Sequence, residues 1–95
     1  MSVKIIIMRT VPIKVMESIR PPLMQLHTLA LSQDGYISGE SLTNIDNPEE
    51  KIVISCWRSK DDWDRFLTVP EVVKCHEVID QKLDIKTMYQ IYLGE

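Results

Sequence analysis

The sequence predicts an α+β domain of the ferredoxin-like kind: βαββαβ, with a four-stranded antiparallel sheet and helices on one face. Three observations carry this. The chain has 95 residues, enough for one domain spanning 1–95. Its hydrophobic period switches between about two and about 3.6 in the order strand, helix, strand, strand, helix, strand, the split βαβ pattern. The first and third predicted strands are also apolar on both faces, so the sheet side away from the helices needs a cover. A homodimer packed sheet against sheet supplies one, and a different partner on that face is the competing idea.

Val3 to Arg9 is β-branched and bounded by Thr10-Val11-Pro12, which marks a strand. Val3, Ile5 and Ile7 share one face; Lys4, Ile6 and Met8 share the other. Residues 13–32 have helical period through Ile13, Met16, Ile19, Leu23, Leu26 and Ala30. Pro21 and Pro22 interrupt the hydrogen-bond ladder without breaking the apolar phase, so one helix kinked near Arg20 to Pro22 is expected, or failing that two short ones. Gly35 is placed as its left-handed C-terminal cap. Tyr36 to Leu42 is the second strand, with Gly39 marking a bulge or a close approach. After a loop over 43–50, Ile52 to Trp57 is the third strand.

Ser59-Lys60-Asp61-Asp62 has the form of a capping box, opening a short helix that presents Trp63, Phe66 and Leu67. Thr68-Val69-Pro70-Glu71 reads as a second box, opening a helix to about Lys82 with Val72, His76, Ile79 and Leu83 inward. Thr87 to Leu93 is the last strand.

Composition narrows the classes of function. Net charge is −3 and the pI about 5.3, against the basic surface that nucleic acid or anionic lipid requires. No apolar run approaches the roughly 18–20 residues of a membrane span, and the N-terminal stretch does not resemble a signal peptide. Cys56 and Cys75 form no CxxC and no metal-ligand spacing, and a cytoplasmic protein with two reduced thiols is expected. Phosphate-cradling, zinc-hydrolase and nucleophile-elbow motifs are missing.

Chemistry therefore falls to a few side chains. His76 lies four residues after Val72 and three before Ile79, so its ring faces the sheet. It reads as a satisfied core residue, a general base or a haem or metal ligand; one histidine makes no zinc site. His27 lies four after Leu23 and three before Ala30, and borders the core or faces His76 across a pocket. Trp57, Trp63 and Tyr36 pack the core or wall a planar substrate. Arg9 is expected in a surface ion pair, with anion recognition the alternative, and Met8 in the core.

Gln33-Asp34-Gly35-Tyr36-Ile37-Ser38-Gly39-Glu40 resembles the turn and second strand of the antibiotic biosynthesis monooxygenase domain, and Val53 to Trp63, with Trp57-Arg58-Ser59, resembles its third strand and following helix. Asp34 stands where that family usually has proline. The resemblance implies a dimeric α+β barrel with a pocket between sheet and helices. It implies a cofactor-independent monooxygenase acting with O₂ on a small electron-rich aromatic, a quinol or polyphenol. His76 is then the catalytic base, with His27, Tyr36, Trp63, Phe66 and Met8 about the substrate pocket and no metal or other cofactor. Two alternatives share the fold: a non-catalytic small-ligand-binding dimer, and a haem-binding or haem-degrading protein. Haem-degrading members carry Asn, Trp and His; His76 matches the third, while Met8 and Phe66 stand at the other two.

Overall fold

The computed structural model describes residues 1–95 and has the predicted topology. Strand β1 (Val3–Thr10) leads through a 3₁₀ turn (Ile13–Val15) into helix α1 (Met16–Leu31). Strands β2 (Tyr36–Thr43) and β3 (Glu50–Trp57) follow, then helices α2 (Lys60–Leu67) and α3 (Pro70–Leu83), then strand β4 (Tyr89–Leu93). The sheet order is β2-β3-β1-β4, with every neighbouring pair antiparallel.

Register divides the sheet into two faces. Val3, Ile5, Ile7 and Arg9 lie under the helices, with their cross-strand partners Trp57, Ser55, Val53 and Lys51 on β3. Val3, Ile5 and Trp57 join Trp63, Phe66 and Val72 in the main core. A second cluster, Val11, Ile19 and Ile79, locks α1 to α3. The other face carries Ile6, Met8, Ile52, Ile54, Cys56 and Tyr92, with Leu42 at its edge. Met8 is 59% exposed there, so its expected place in the core is not observed.

Helix α1 runs unbroken through Pro21 and Pro22. The prolines withhold N–H groups from the carbonyls of Glu17 and Ser18, whose residues lie on the exposed side, where water substitutes. The buried stripe from Ile19 through Leu26 to Ala30 keeps its phase and holds the segment as one helix. The helix closes at Ser32, so Gly35 is not its cap; Gly35 serves the next turn, with φ +90°. The irregularity in β2 falls between Tyr36 and Ser38, and Gly39 admits a close approach, since a Cβ there would lie 2.5 Å from the Tyr36 hydroxyl.

Only half of the first capping box forms. The Ser59 hydroxyl accepts from the Asp62 N–H at 3.2 Å, but the Asp62 carboxylate turns to side chains. It accepts from the Ser59 hydroxyl (2.8 Å), Arg58 Nε (3.2 Å), Arg58 Nη2 (3.1 Å) and Arg65 Nη1 (2.8 Å). The Ser59 bond, then those from Arg58 and Arg65, hold its carboxyl down at about 2. The second box is absent: Val69 is the N-cap of α3, Pro70 takes the first helical position, and the Thr68 hydroxyl donates back to the Arg65 carbonyl. Strand β4 begins two residues later than expected because the Thr87 N–H bonds the Asp80 carboxylate rather than a strand.

Gly35 makes room for the buried Asp62. A Cβ at this position would overlap Asp62 Cγ, and its backbone is one that L-residues avoid. Gly35→Ala is therefore expected to destabilise the fold by about 2 kcal/mol or more, read as a lower midpoint in urea unfolding with m unchanged. An unchanged midpoint would contradict this account of the turn.

Candidate functional site

A cleft of about 180 Å³ opens between the β1–β4 half of the sheet and helices α2 and α3. Ile7 forms its floor, Trp63 and Leu67 come from α2, His76 and Asp80 from α3, and Tyr89 from β4. Lys86 and Thr87, in the segment before β4, complete the rim. A larger groove of about 580 Å³ lies elsewhere, among Ser32, Gln33, Asp34, Arg58 and Arg65. It has no apolar wall, and both its arginines are already bonded to Asp62, so it offers no enclosed site for an organic ligand.

Each wall of the smaller cleft has a local cause. Ser59 caps α2 and Asp62 anchors it, setting the helix so that Trp63 and Phe66 point inward. The aromatic side chains then brace one another. Trp57 and Phe66 have centroids 4.9 Å apart, Trp63 meets Trp57 edge to face at 5.7 Å, and Trp63 meets Tyr89 in the same way at 5.2 Å. On α3, Val72 and Ile79 are fully buried and carry His76 between them to a half-buried position on the cleft. Burial, and then the nearby charge of Arg9, push the His76 imidazole below its ordinary 6.5, while Asp80 works in the opposite direction. The neutral ring is thus the main form at pH 7, as a proton acceptor requires.

Behind the rim lies a polar relay. Asp80 Oδ1 accepts from the Thr87 N–H at 3.0 Å and from the Thr87 hydroxyl, and Arg9 Nη2 donates to the same hydroxyl at 3.5 Å. Arg9 is 8% exposed and belongs to none of the four ion pairs of the chain. The surface ion pair expected for it is thus not formed. Position 9 continues the Val3, Ile5, Ile7 row, and the two-residue period carries the side chain under the helices. Arg9 Nε and Trp63 Nε1 are both buried without a hydrogen-bond partner.

Of the residues singled out from sequence, His76 and Trp63 meet at this cleft. Phe66 stands behind Trp63 in the core rather than on the cleft wall. Tyr36 sits on β2, at the opposite end of the sheet, against Trp57. Met8 is on the other sheet face. His27 is exposed on α1, one position past the buried-side Leu26, and so does not face His76 across a pocket. Sequence reasoning passed over Asp80, one turn after His76 on α3, and Lys86, Thr87 and Tyr89, which the return of the chain into β4 brings beside that helix; Arg9 was legible from its phase.

No group of three or more His, Cys, Asp or Glu residues is arranged to hold a metal. Haem fits no better. A cavity of about 150 Å³ accepts a benzene ring, so one of about 180 Å³ is far too small to enclose a macrocycle. The neutral imidazole, the apolar floor and the aromatic wall instead suit a small planar ligand with an acidic hydrogen. No helix is long and apolar enough to cross a membrane.

No curated protein sequence matches the chain. Among solved structures, a conserved protein from Methanosarcina mazei superposes with a TM-score of 0.90 at 16% identity, covering 99% of this chain and 93% of that one. A protein from Mycobacterium tuberculosis gives 0.87 at 16% identity, covering 100% and 96%. SnoaB, a cofactor-independent oxygenase from Streptomyces nogalater, gives 0.82 at 14% identity, covering 99% and 93%. At such identities these likenesses speak for the fold alone. The family model for antibiotic biosynthesis monooxygenases matches residues 3–78, from β1 into α3, and the chain belongs to that family.

Proposed function

We propose that the protein is a cofactor-independent monooxygenase acting on a small electron-rich aromatic, a quinol or polyphenol, with His76 as the general base. The observation that carries this is a half-buried imidazole, pushed below its ordinary 6.5, on a cleft with an apolar and aromatic side formed by Ile7, Trp63, Leu67 and Tyr89 and a polar rim of Asp80, Lys86 and Thr87. SnoaB, whose fold the chain shares, is itself a cofactor-independent oxygenase.

The ring of the substrate lies over Ile7 against the wall that Trp63 and Tyr89 form together, which fixes its plane. His76 takes the proton of a phenolic hydroxyl, and the electron-rich phenolate passes one electron to O₂. The two radicals join as a carbon–oxygen bond at the ring. Cleavage of the O–O bond then releases one oxygen as water and leaves the other on the ring. For a hydroquinone the balance is hydroquinone plus O₂ giving hydroxyquinone plus water, with the substrate surrendering all four electrons. The protein supplies position, a base and a dry site; the reactivity toward O₂ belongs to the phenolate.

The working unit we propose is a homodimer joined through the open sheet face. That face presents Ile6, Met8, Ile52, Ile54 and Tyr92 as a continuous apolar surface, with Lys4, Glu40 and Gln90 interspersed. Cys56 and Cys75 are free thiols, consistent with a cytoplasmic setting.

Metal-stripped protein is expected to consume O₂ with single-ring hydroquinones above the uncatalysed rate, and His76→Ala to lose about 10²–10⁴-fold in kcat/KM. Because the neutral ring is the active form, kcat/KM should fall as pH drops through a midpoint below 6.5. A background rate would leave a non-catalytic binding dimer as the better reading, and a rate above background but indifferent to His76→Ala would refute His76 as the base. Sedimentation at micromolar concentration should give a dimer, and Ile54→Glu should convert it to a monomer; a monomeric wild type would refute the interface.

A further inference from the structure

Between α3 and β4 the chain runs along the rim of the cleft over residues 84–88 and gives it Lys86 and Thr87. Asp84 takes a left-handed backbone (φ +54°) that stops the helix, and the Ile85 N–H closes the last turn onto the Asp80 carbonyl at 3.2 Å. Beyond that point little holds the segment. Ile85 is 64% and Met88 75% exposed, so apolar burial does not tether it. Pairing with β1 starts only at Tyr89, opposite Ile7. Outside the β ladder, residues 86–88 make three hydrogen bonds, and all of them are at Thr87. Its N–H (3.0 Å) and its hydroxyl both donate to Asp80 Oδ1, and the hydroxyl accepts from Arg9 Nη2 at a long 3.5 Å. One carboxylate thus carries most of the polar attachment of this stretch.

Asp80 lies one turn after His76 on α3, and both line the cleft. A carboxylate so placed invites the reading of a dyad with the base. The structure does not make one, since no hydrogen bond joins Asp80 to the imidazole and its Oδ1 is taken up by Thr87. What Asp80 holds is the approach to Tyr89, two residues further on. Tyr89 is the first residue of β4, at the end of the ladder, where a strand frays most easily. It is 40% exposed, and its aromatic contact is the edge-to-face one with Trp63 at 5.2 Å.

We propose that Asp80 is a positioning residue for the cleft: through Thr87 its carboxylate latches the segment before β4, fixes the rim and sets Tyr89 in the wall against which the ring lies. This rests on the cleft proposed above as the binding site. It makes Asp80 a determinant of how tightly the ring is held and leaves proton transfer to His76.

The test compares Asp80→Ala, Asp80→Asn and Thr87→Val with the wild type on the full chain. The readouts are amide hydrogen exchange, phenol binding by calorimetry and turnover of hydroquinone with O₂. Both Asp80 variants lose the charge that favours a protonated His76, but asparagine keeps an oxygen that accepts from Thr87, so the difference between them isolates the latch. All are compared at about pH 8, where the ring is neutral in each. In Asp80→Ala the Thr87 amide should exchange at least about tenfold faster, while the Ile79 amide keeps its wild-type protection. The Kd of phenol and the KM of hydroquinone should rise about tenfold, with kcat within about twofold. Asp80→Asn should recover most of each loss. Thr87→Val, which keeps the N–H bond, should raise both constants about threefold, and it decides the matter if Asp80→Ala does not fold.

Wild-type binding and KM in Asp80→Ala and Thr87→Val would overturn the proposal. A fall in kcat at unchanged KM would also overturn it, because Asp80 would then be serving His76. So would Asp80→Asn as damaging as Asp80→Ala, or protection lost at Ile79 together with Thr87. Phenol binding that follows the expected ratios without any turnover would retain the latch and remove the oxygenase reading. Turnover that depends on His76, with KM unchanged in Asp80→Ala, would do the reverse. A wild type that neither binds phenol nor turns over hydroquinone would overturn both.

Discussion

The two-residue period of β1 is the constraint on which both the core and the cleft depend. This strand pairs with β3 on one side and β4 on the other. Its alternation places Val3, Ile5 and Ile7 beneath the helices, and it cannot do so without carrying Arg9 to the same side. A slip of one residue would return Arg9 to the other face but would also expose the apolar row that anchors the main core. The sheet therefore holds a guanidinium where a hydrophobic side chain would serve stability better. Asp80 of α3 and Thr87 of the segment before β4 accommodate it, but no carboxylate closes on it as an ion pair.

From this row the rest of the site follows. Ile7 is both core and cleft floor. Trp63 is set by α2, and α2 is set by the Asp62 carboxylate, which Gly35 admits by having no side chain. His76 is set by α3, whose fully buried Val72 and Ile79 fix the helix's rotation about its axis. The base and the aromatic wall thus rest on two helices that share one core, since Val72 of α3 packs in the same cluster as Trp63 and Phe66 of α2.

Much of this was legible in the sequence because it depends on local periods. The element order, the inward stripe of α3 and the apolar second sheet face all follow from spacing, and the quoted phrases around Gly35 and Trp57 carried the family. The misreadings share a different cause. His27 satisfied the three-and-four rule with Leu23 and Ala30, but the buried stripe of α1 runs through Leu26, one step away around the helix. Phe66 and Tyr36 are core partners of Trp57, which no spacing distinguishes from cleft walls. Arg9 was judged by its residue type, although its phase with Ile7 placed it inside. Asp80 bonds Thr87 seven residues on, a local contact that residue types alone do not announce, and Tyr89 reaches the cleft only through the long-range pairing of β4 with β1.

The central claim is that the cleft over Ile7, rather than the open sheet face, receives the substrate. A crystal structure of the protein soaked anaerobically with a single-ring hydroquinone tests this most directly. The ring is expected over Ile7, against the wall of Trp63 and Tyr89, with one hydroxyl in hydrogen-bond reach of His76. A ring seated instead in the groove of Arg58 and Arg65, or on the face of Ile6 and Ile54, with the cleft holding only water, would contradict it.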